Sequence, residues 1–302
     1  MSARPAMWRT SASALADLLG AAAEAMLASP LRDHCVVRLP ARCTLLATGD
    51  IHDNPIHFDA VVRAARLGRS PDHHVVLHEL IHGDRLVNDM DMSHRMLARV
   101  AELVLAHPLQ VHPILANHEI AQYRRHHISK GAGDNLELFD AGLEWVYGEE
   151  ADIAAEGIGR FVRAMPLAVL CANGVMVSHS IPAPGLIAHV DLDAFARDLR
   201  DDDFEGPAGA AYAMTWGRGQ TAESVARLAE RWGVKLFVCG HAHAPTGAEV
   251  IAPGMLVLNT DHPQGRVLEI DLAAPAPDAK AAVSAAMPVA TYIDLETLGG
   301  LA

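Results

Sequence analysis

Short apolar runs that end in small or polar residues alternate along this chain with longer segments of helical spacing. "CTLLATGD" (43–50) empties into Gly49-Asp50, "HHVVLHE" (73–79) into Glu79, and "VHPILANHE" (111–119) into Asn117-His118-Glu119. Continuous apolar runs of this length predict buried strands. "LAVLCAN" and "GVMVSHS" bracket Asn173-Gly174, a hairpin signal, and "VKLFVCG" (234–240) is a further strand, with two more near 254–259 and 265–271. Between them lie predicted helices. Residues 11–28 place Leu15, Leu18, Leu19, Ala22 and Met26 on one side; "FDAVVRAARLG" (58–68) stops at Gly68; "SHRMLARVAELVLAH" (93–107) has Ser93 as N-cap; 222–233 is helical, as is most of the stretch before Arg163. Residues 273–288 predict a loop or flexible connector, and "VATYIDLETL" (289–298) an edge strand. The alternation predicts an α/β sandwich, with no internal repeat and no convincing domain boundary.

Bulk composition narrows the function. A chain of 302 residues, 51% apolar, buries a large core, and a net charge of −13 disfavours long nucleic acids and anionic membranes, which require clustered Lys and Arg. Cys35, Cys43, Cys171 and Cys239 are widely spaced and read as buried, reduced thiols. The early apolar stretch Ala12 to Ala28 is interrupted by Asp17 and Glu24, which suits neither a membrane span nor a signal peptide; the expected location is the cytoplasm. The acidic triplet 201–203 reads as a solvated loop.

In open α/β folds ligands bind at the carboxyl ends of strands, and that is where the chemistry-bearing residues fall. Asp50 and His52, Glu79, Asn117 and His118, His179, and finally His241 and His243 follow successive strands. In an extended chain residues i and i+2 point the same way, so His241 and His243 suit a metal site.

Taken in order, these residues resemble the calcineurin-like metallophosphoesterase superfamily, whose motifs run Asp-x-His, Gly-Asp, Gly-Asn-His-Asp/Glu, His and Gly-His-x-His. The resemblance covers about residues 43–260 and looks nearest to the protein serine/threonine phosphatases, through "GDIHD", "ANHE" and "MPLAVLCANGVMVSHSIP". It implies a four-layer αββα sandwich of two mixed sheets flanked by helices, a single domain with its core over about 41–272 and residues 1–40 and 273–302 as attachments. It also implies a metal-dependent phosphatase acting on a phosphorylated protein or small metabolite, with two divalent ions (Mn, Fe or Zn). By this pattern Asp50, His52 and His243 hold one ion, Asn117, His179 and His241 the other, and a carboxylate bridges them. A shared hydroxide would attack phosphorus, with His118 as general acid. No tyrosine lies within the motifs, against a tyrosinate-ligated ferric site.

The second motif departs from the pattern. No Gly-Asp ends "HHVVLHE", and Gly83-Asp84 arrives five residues later. An ordinary strand length favours Glu79 as the bridge and leaves Asp84 to orient His118; the Gly-Asp identity favours Asp84. Asp53, Ala116 and Ser180 replace the usual neighbours of the motifs. Arg124 and Arg125 suit either phosphate oxygens or a solvated helix face. The alternatives are a phosphodiesterase or nuclease with the same site, and a non-catalytic metal-binding scaffold.

Overall fold

The computed structural model of the protein describes residues 11–127, 129–130 and 133–294. α1 (Ala12–Leu27) starts at Ser11, whose hydroxyl accepts the Ala14 N–H, and is followed by β1 (Arg32–Asp33) and β2 (Val36–Leu39). β3 (Thr44–Asp50), α2 (Pro55–Ala65), β4 (His73–His78), the hairpin β5 (Leu86–Val87) and β6 (Met90–Asp91), α3 (His94–Ala106) and β7 (Val111–Pro113) come next. They lead to α4 (Asn117–Arg124), the hairpin β8 (Ser129–Lys130) and β9 (Gly133–Asp134), α5 (Asn135–Tyr147) and α6 (Ala151–Ala164). The second half comprises β10 (Ala168–Cys171), β11 (Val175–Ser178), α7 (Ala210–Trp216), α8 (Ala222–Trp232), β12 (Leu236–Cys239), β13 (Ala248–Ala252), β14 (Met255–Leu258), β15 (Arg266–Asp271), α9 (Ala279–Ala285) and β16 (Met287–Pro288).

Two mixed sheets result. One runs β1-β2-β10-β11-β12-β14-β13 and the other β16-β15-β3-β4-β7, with parallel pairing at β2/β10, β11/β12, β12/β14, β3/β4 and β4/β7. Successive side chains of a strand point to opposite faces, and here both faces are apolar. Val37, Leu45, Ala47, Val76, Val169, Val177, Val238 and Leu256 meet in one core between the sheets. Their neighbours Val36, Leu46, Val75, Met176, Phe237 and Val257 turn outward, into a second core with Leu19 of α1, Phe58 of α2, Val100 of α3, Phe161 of α6 and Leu228 of α8. This is the expected four-layer sandwich. Its two sheets touch where the site lies, through a parallel bridge between Asp50 and Asn259.

Local structure departs from the sequence expectations in instructive places. β2 pairs with β10, so residues 36–39 belong to the larger sheet rather than to an attachment, and β13 was not anticipated. Residues 279–285 form α9, whose Ala279 and Ala282 enter the inter-sheet core; small side chains here serve close packing rather than flexibility. The added edge strand is Met287–Pro288, earlier than the predicted 289–298, and residues 295–302 lie outside the described part of the chain. α2 begins at Pro55 under an Asn54 cap and stops at a left-handed Arg66, before Gly68. Ser93 precedes α3 but does not cap it; its hydroxyl instead accepts the His82 N–H at 3.1 Å. The triplet 201–203 forms a short 3-10 turn in which Asp203 is buried against Arg197, its carboxylate held by two guanidinium hydrogen bonds. The four cysteines are buried and free.

At the adjoining strands β4 and β7, His74 and His112 are buried and stacked, with Nδ1 of the first 3.0 Å from Nε2 of the second. Burial pushes His74 down to about 4 and His112 down to about 3. Among the described residues no helix is long and apolar enough to cross a membrane.

Candidate metal centre

The strands stop at the site because their carboxyl ends converge there. Asp50 closes β3 and receives the His241 N–H on both carboxylate oxygens, at 3.0 and 3.1 Å, so the ends of β3 and β12 are stitched together. Gly240 makes the approach possible, since a Cβ at this position would collide with Asp50 and with His78. His52, Asp53, Glu79, His82 and His241 all have left-handed backbone, with φ between 45 and 65°. Non-glycine residues bear a cost of order 1–3 kcal/mol in sparsely populated backbone regions, and such residues cluster at functional sites.

Glu79 follows β4 directly. Its position is fixed from behind by Glu119, whose Oε1 accepts the Leu80 and Ile81 N–H groups at 2.7 and 3.3 Å. Complete burial pushes the Glu119 carboxyl up to about 7. Asn117 and His118 stand at the start of α4 rather than in a loop, with Ala116 as an extended N-cap residue.

Around Glu79 the donors form two groups. In one, ligand atoms of Asp50, His52 and Glu79 lie within 4.8 Å of one another; in the other, those of Glu79, His179 and His241 do. His179 Nε2 is 2.7 Å from Asn117 Oδ1, 3.2 Å from His241 Nδ1 and 3.3 Å from Glu79 Oε2. His52 bonds the Ile81 carbonyl through Nδ1 at 3.2 Å, which leaves its Nε2 facing Glu79 Oε2 at 3.7 Å. Burial, then the neighbouring imidazoles, holds His179 far below the usual histidine range, and burial lowers His241 to about 4. Both rings are therefore neutral near pH 7, the protonation state a metal ligand needs.

The donor set fits divalent cations. Carboxylate, amide and imidazole lone pairs crowd one small volume, an arrangement that repels itself unless positive charge lies among the donors, and no thiolate is present. Either group could hold an ion, and Glu79 belongs to both.

The structure brings together seven of the predicted site residues: Asp50, His52, Glu79, Asn117, His118, His179 and His241. His118 lies beside the two groups, with Nε2 3.6 Å from Glu79 Oε1 and its ring 5.4 Å from that of His52. His243 is not brought in. Its side chain is exposed and its ring lies 5.8 Å from His262. The reason is local, for the left-handed φ of His241 and a tight Ala242 N–H to Gly240 carbonyl bond at 2.7 Å break the extended geometry that would align residues 241 and 243.

Asp84 is exposed and belongs to no ligand group among the described residues. Beside His118 stand Asn135, whose Nδ2 is 3.5 Å from His118 Nδ1, and His82, at 5.3 Å between rings, which bonds Asp91 through Nδ1 at 2.7 Å. Arg124 pairs with Glu205 and Arg125 makes a two-pronged bond to Asp140, so both cations serve the protein surface. Asp53 is buried under Arg85, and burial raises its carboxyl to about 6. Ser180 holds the next loop by donating to the Gly217 carbonyl at 2.7 Å.

Two residues near the centre escaped the sequence reading. Arg218, exposed on that loop, lines a pocket of about 240 Å³ together with Ser180, Gln220 and His241. His78 is buried between Asp50 and His179. Its signal is a polar residue closing an apolar strand, the same signal that Glu79 beside it carries.

Fold and donor set together define a metal-dependent phosphoesterase. Residues 43–245 match the family model of the calcineurin-like phosphoesterases, and the chain belongs to that family. A Saccharomyces cerevisiae protein serine/threonine phosphatase with similarity to human phosphatase PP5 is similar in structure, with a TM-score of 0.61 at 15% identity over 85% of this chain and 81% of that one. So is the cold-active protein-tyrosine phosphatase of the psychrophile Shewanella sp., with a TM-score of 0.54 at 14% identity over 83% and 80%. At these identities the likeness concerns the fold. No curated protein matches the sequence.

Proposed function

We propose that the protein is a dinuclear metal-dependent phosphatase that hydrolyses phosphate monoesters carried by a protein or a small metabolite. The observation that carries this reading is the place of Glu79, one carboxylate common to two groups of ligand atoms. Asp50, His52 and Glu79 would hold one ion; Glu79, Asn117, His179 and His241 the other. His243 and Asp84 are not needed for either. When bound, two divalent ions such as Mn, Fe or Zn activate a shared water and offset the charge of the phosphoryl oxygens.

The protein's own groups do the rest. His118 donates a proton from Nε2 to the leaving oxygen; the residue is buried at the edge of the ligand groups, with Nε2 3.6 Å from Glu79 Oε1. Arg218 meets the phosphoryl oxygens from the 240 Å³ pocket, and a dianionic monoester gains more from this extra cation than a monoanionic diester does. The charge of −13 suits small or protein-borne phosphates better than long nucleic acids.

Release of p-nitrophenol from p-nitrophenyl phosphate and from bis(p-nitrophenyl) phosphate, with added manganese, tests the reading. Monoester turnover should dominate. A preference for the diester would make the protein a phosphodiesterase, and metal binding without turnover of either would leave a scaffold.

A further inference from the structure

We infer that His78 is a positioning residue for the metal centre: it fixes the tautomer of His179 so that Nε2 is free to bind metal. This rests on the metal-centre reading above. With Glu79 in the carboxylate role, His78 occupies the place before it, where the family pattern has glycine.

Proton positions follow from the partners. His78 Nε2 lies 2.8 Å from the Thr48 carbonyl oxygen, which can only accept, so this nitrogen carries hydrogen. The ring is completely buried, and Oδ1 of Asp50 stands 3.8 Å from its Nδ1, outside hydrogen-bond reach. A neutral ring protonated on Nε2 has a lone pair on Nδ1. That lone pair faces His179 Nδ1 at 3.0 Å, so His179 is the donor of this bond. Its own Nε2 then has a lone pair, directed at Asn117 Oδ1, Glu79 Oε2 and His241 Nδ1.

Ligating histidines ordinarily give their second N–H to a carboxylate, a backbone carbonyl or water. Here the acceptor is a second imidazole, itself anchored on the backbone of the neighbouring strand. Both His78 nitrogens are committed, which assigns it to support and not to the metal, although its ligand atom lies within 4.8 Å of those of Asp50 and His179. Gly240 is part of the device, because any Cβ there would occupy the space of the His78 ring.

Two measurements test the inference. Long-range ¹H–¹⁵N spectra of the metal-free full chain should show His179 protonated on Nδ1 and His78 on Nε2; His179 protonated on Nε2 would overturn it. Titration with manganese should show that His78→Leu, which has no acceptor, weakens one of the two sites about 10- to 100-fold. His78→Gln, whose amide oxygen can accept the His179 proton, should recover most of that loss at unchanged melting temperature. Equal losses in the two variants, or wild-type affinity in His78→Leu, would overturn the proposal. Should the variants not fold, the wild-type spectra decide alone. Should the wild type bind no manganese, the phosphatase reading fails while the tautomer assignment is still decided by the spectra.

Discussion

Nε2 of His118 lies 3.6 Å from Oε1 of Glu79, so the proposed general acid stands directly beside the carboxylate that both ligand groups share. This relationship separates proton donation from metal binding. His118→Asn should lower kcat by about 10²- to 10⁴-fold on an alkyl phosphate, the usual contribution of a positioned acid, and by much less on p-nitrophenyl phosphate. The nitrophenolate ion leaves without help. Metal content should not change; an equal loss on both substrates would remove His118 from the acid role.

Glu79 and Asp84 were the two carboxylates that spacing alone left open. Glu79→Gln should deplete the protein of both ions in elemental analysis, because the change touches both groups. Asp84→Asn alters an exposed side chain and should leave metal content and kcat within error of the wild type.

The two histidines of the Gly-His-Ala-His segment should behave differently. His241→Ala removes a buried donor 3.2 Å from His179 and should cost one ion per chain. His243→Ala should retain two ions per chain, since the residue is exposed and its ring faces His262. Loss of an ion in the second variant would restore His243 as a ligand.

Arg218→Ala should act on binding. An increase in KM of about tenfold, the scale of one charge-assisted hydrogen bond, with kcat nearly unchanged is expected, and inhibition by inorganic phosphate should weaken in parallel. Arg124→Ala and Arg125→Ala, which release Glu205 and Asp140, should leave both constants close to wild type.

Stability should fall on mild acidification, in part through His74 and His112. Burial holds them at about 4 and about 3, below the ordinary 6.5, so the unfolded chain takes up protons first as the pH drops. Their contribution is complete above about pH 6.5 and is lost as pH falls toward their native values. Denaturant unfolding of the metal-free protein should show this slope, and the His74→Leu, His112→Leu pair should flatten it; an unchanged slope would place the titration elsewhere.

Much of this molecule could be read without coordinates. "CTLLATGD", "HHVVLHE" and "VKLFVCG" are strands because apolar continuity on both faces suits a sheet buried on both sides, and that is how they lie. Seven of the eight catalytic and metal-ligand positions proposed from motif order lie together in the structure, since each follows a strand and strand ends meet. α9 was illegible because Ala- and Pro-rich sequence describes equally a tether and a close-packed helix. β2 was missed because four residues carry too little periodicity.

The sequence by itself determined the principal strands and helices, the residue types that meet at the strand ends and the lack of soft thiolate ligands among them. Only the tertiary structure shows Glu79 buried among two groups of ligand atoms with Asp84 exposed, His243 turned away from them, and His78 and Arg218 beside them. The reason is physical. Periodicity reports which way a side chain points along a regular element, whereas the site is built where regularity stops. There, left-handed residues such as Glu79 and His241 turn the chain, and the hydrogen-bond partners that fix each imidazole come from strands far away in sequence.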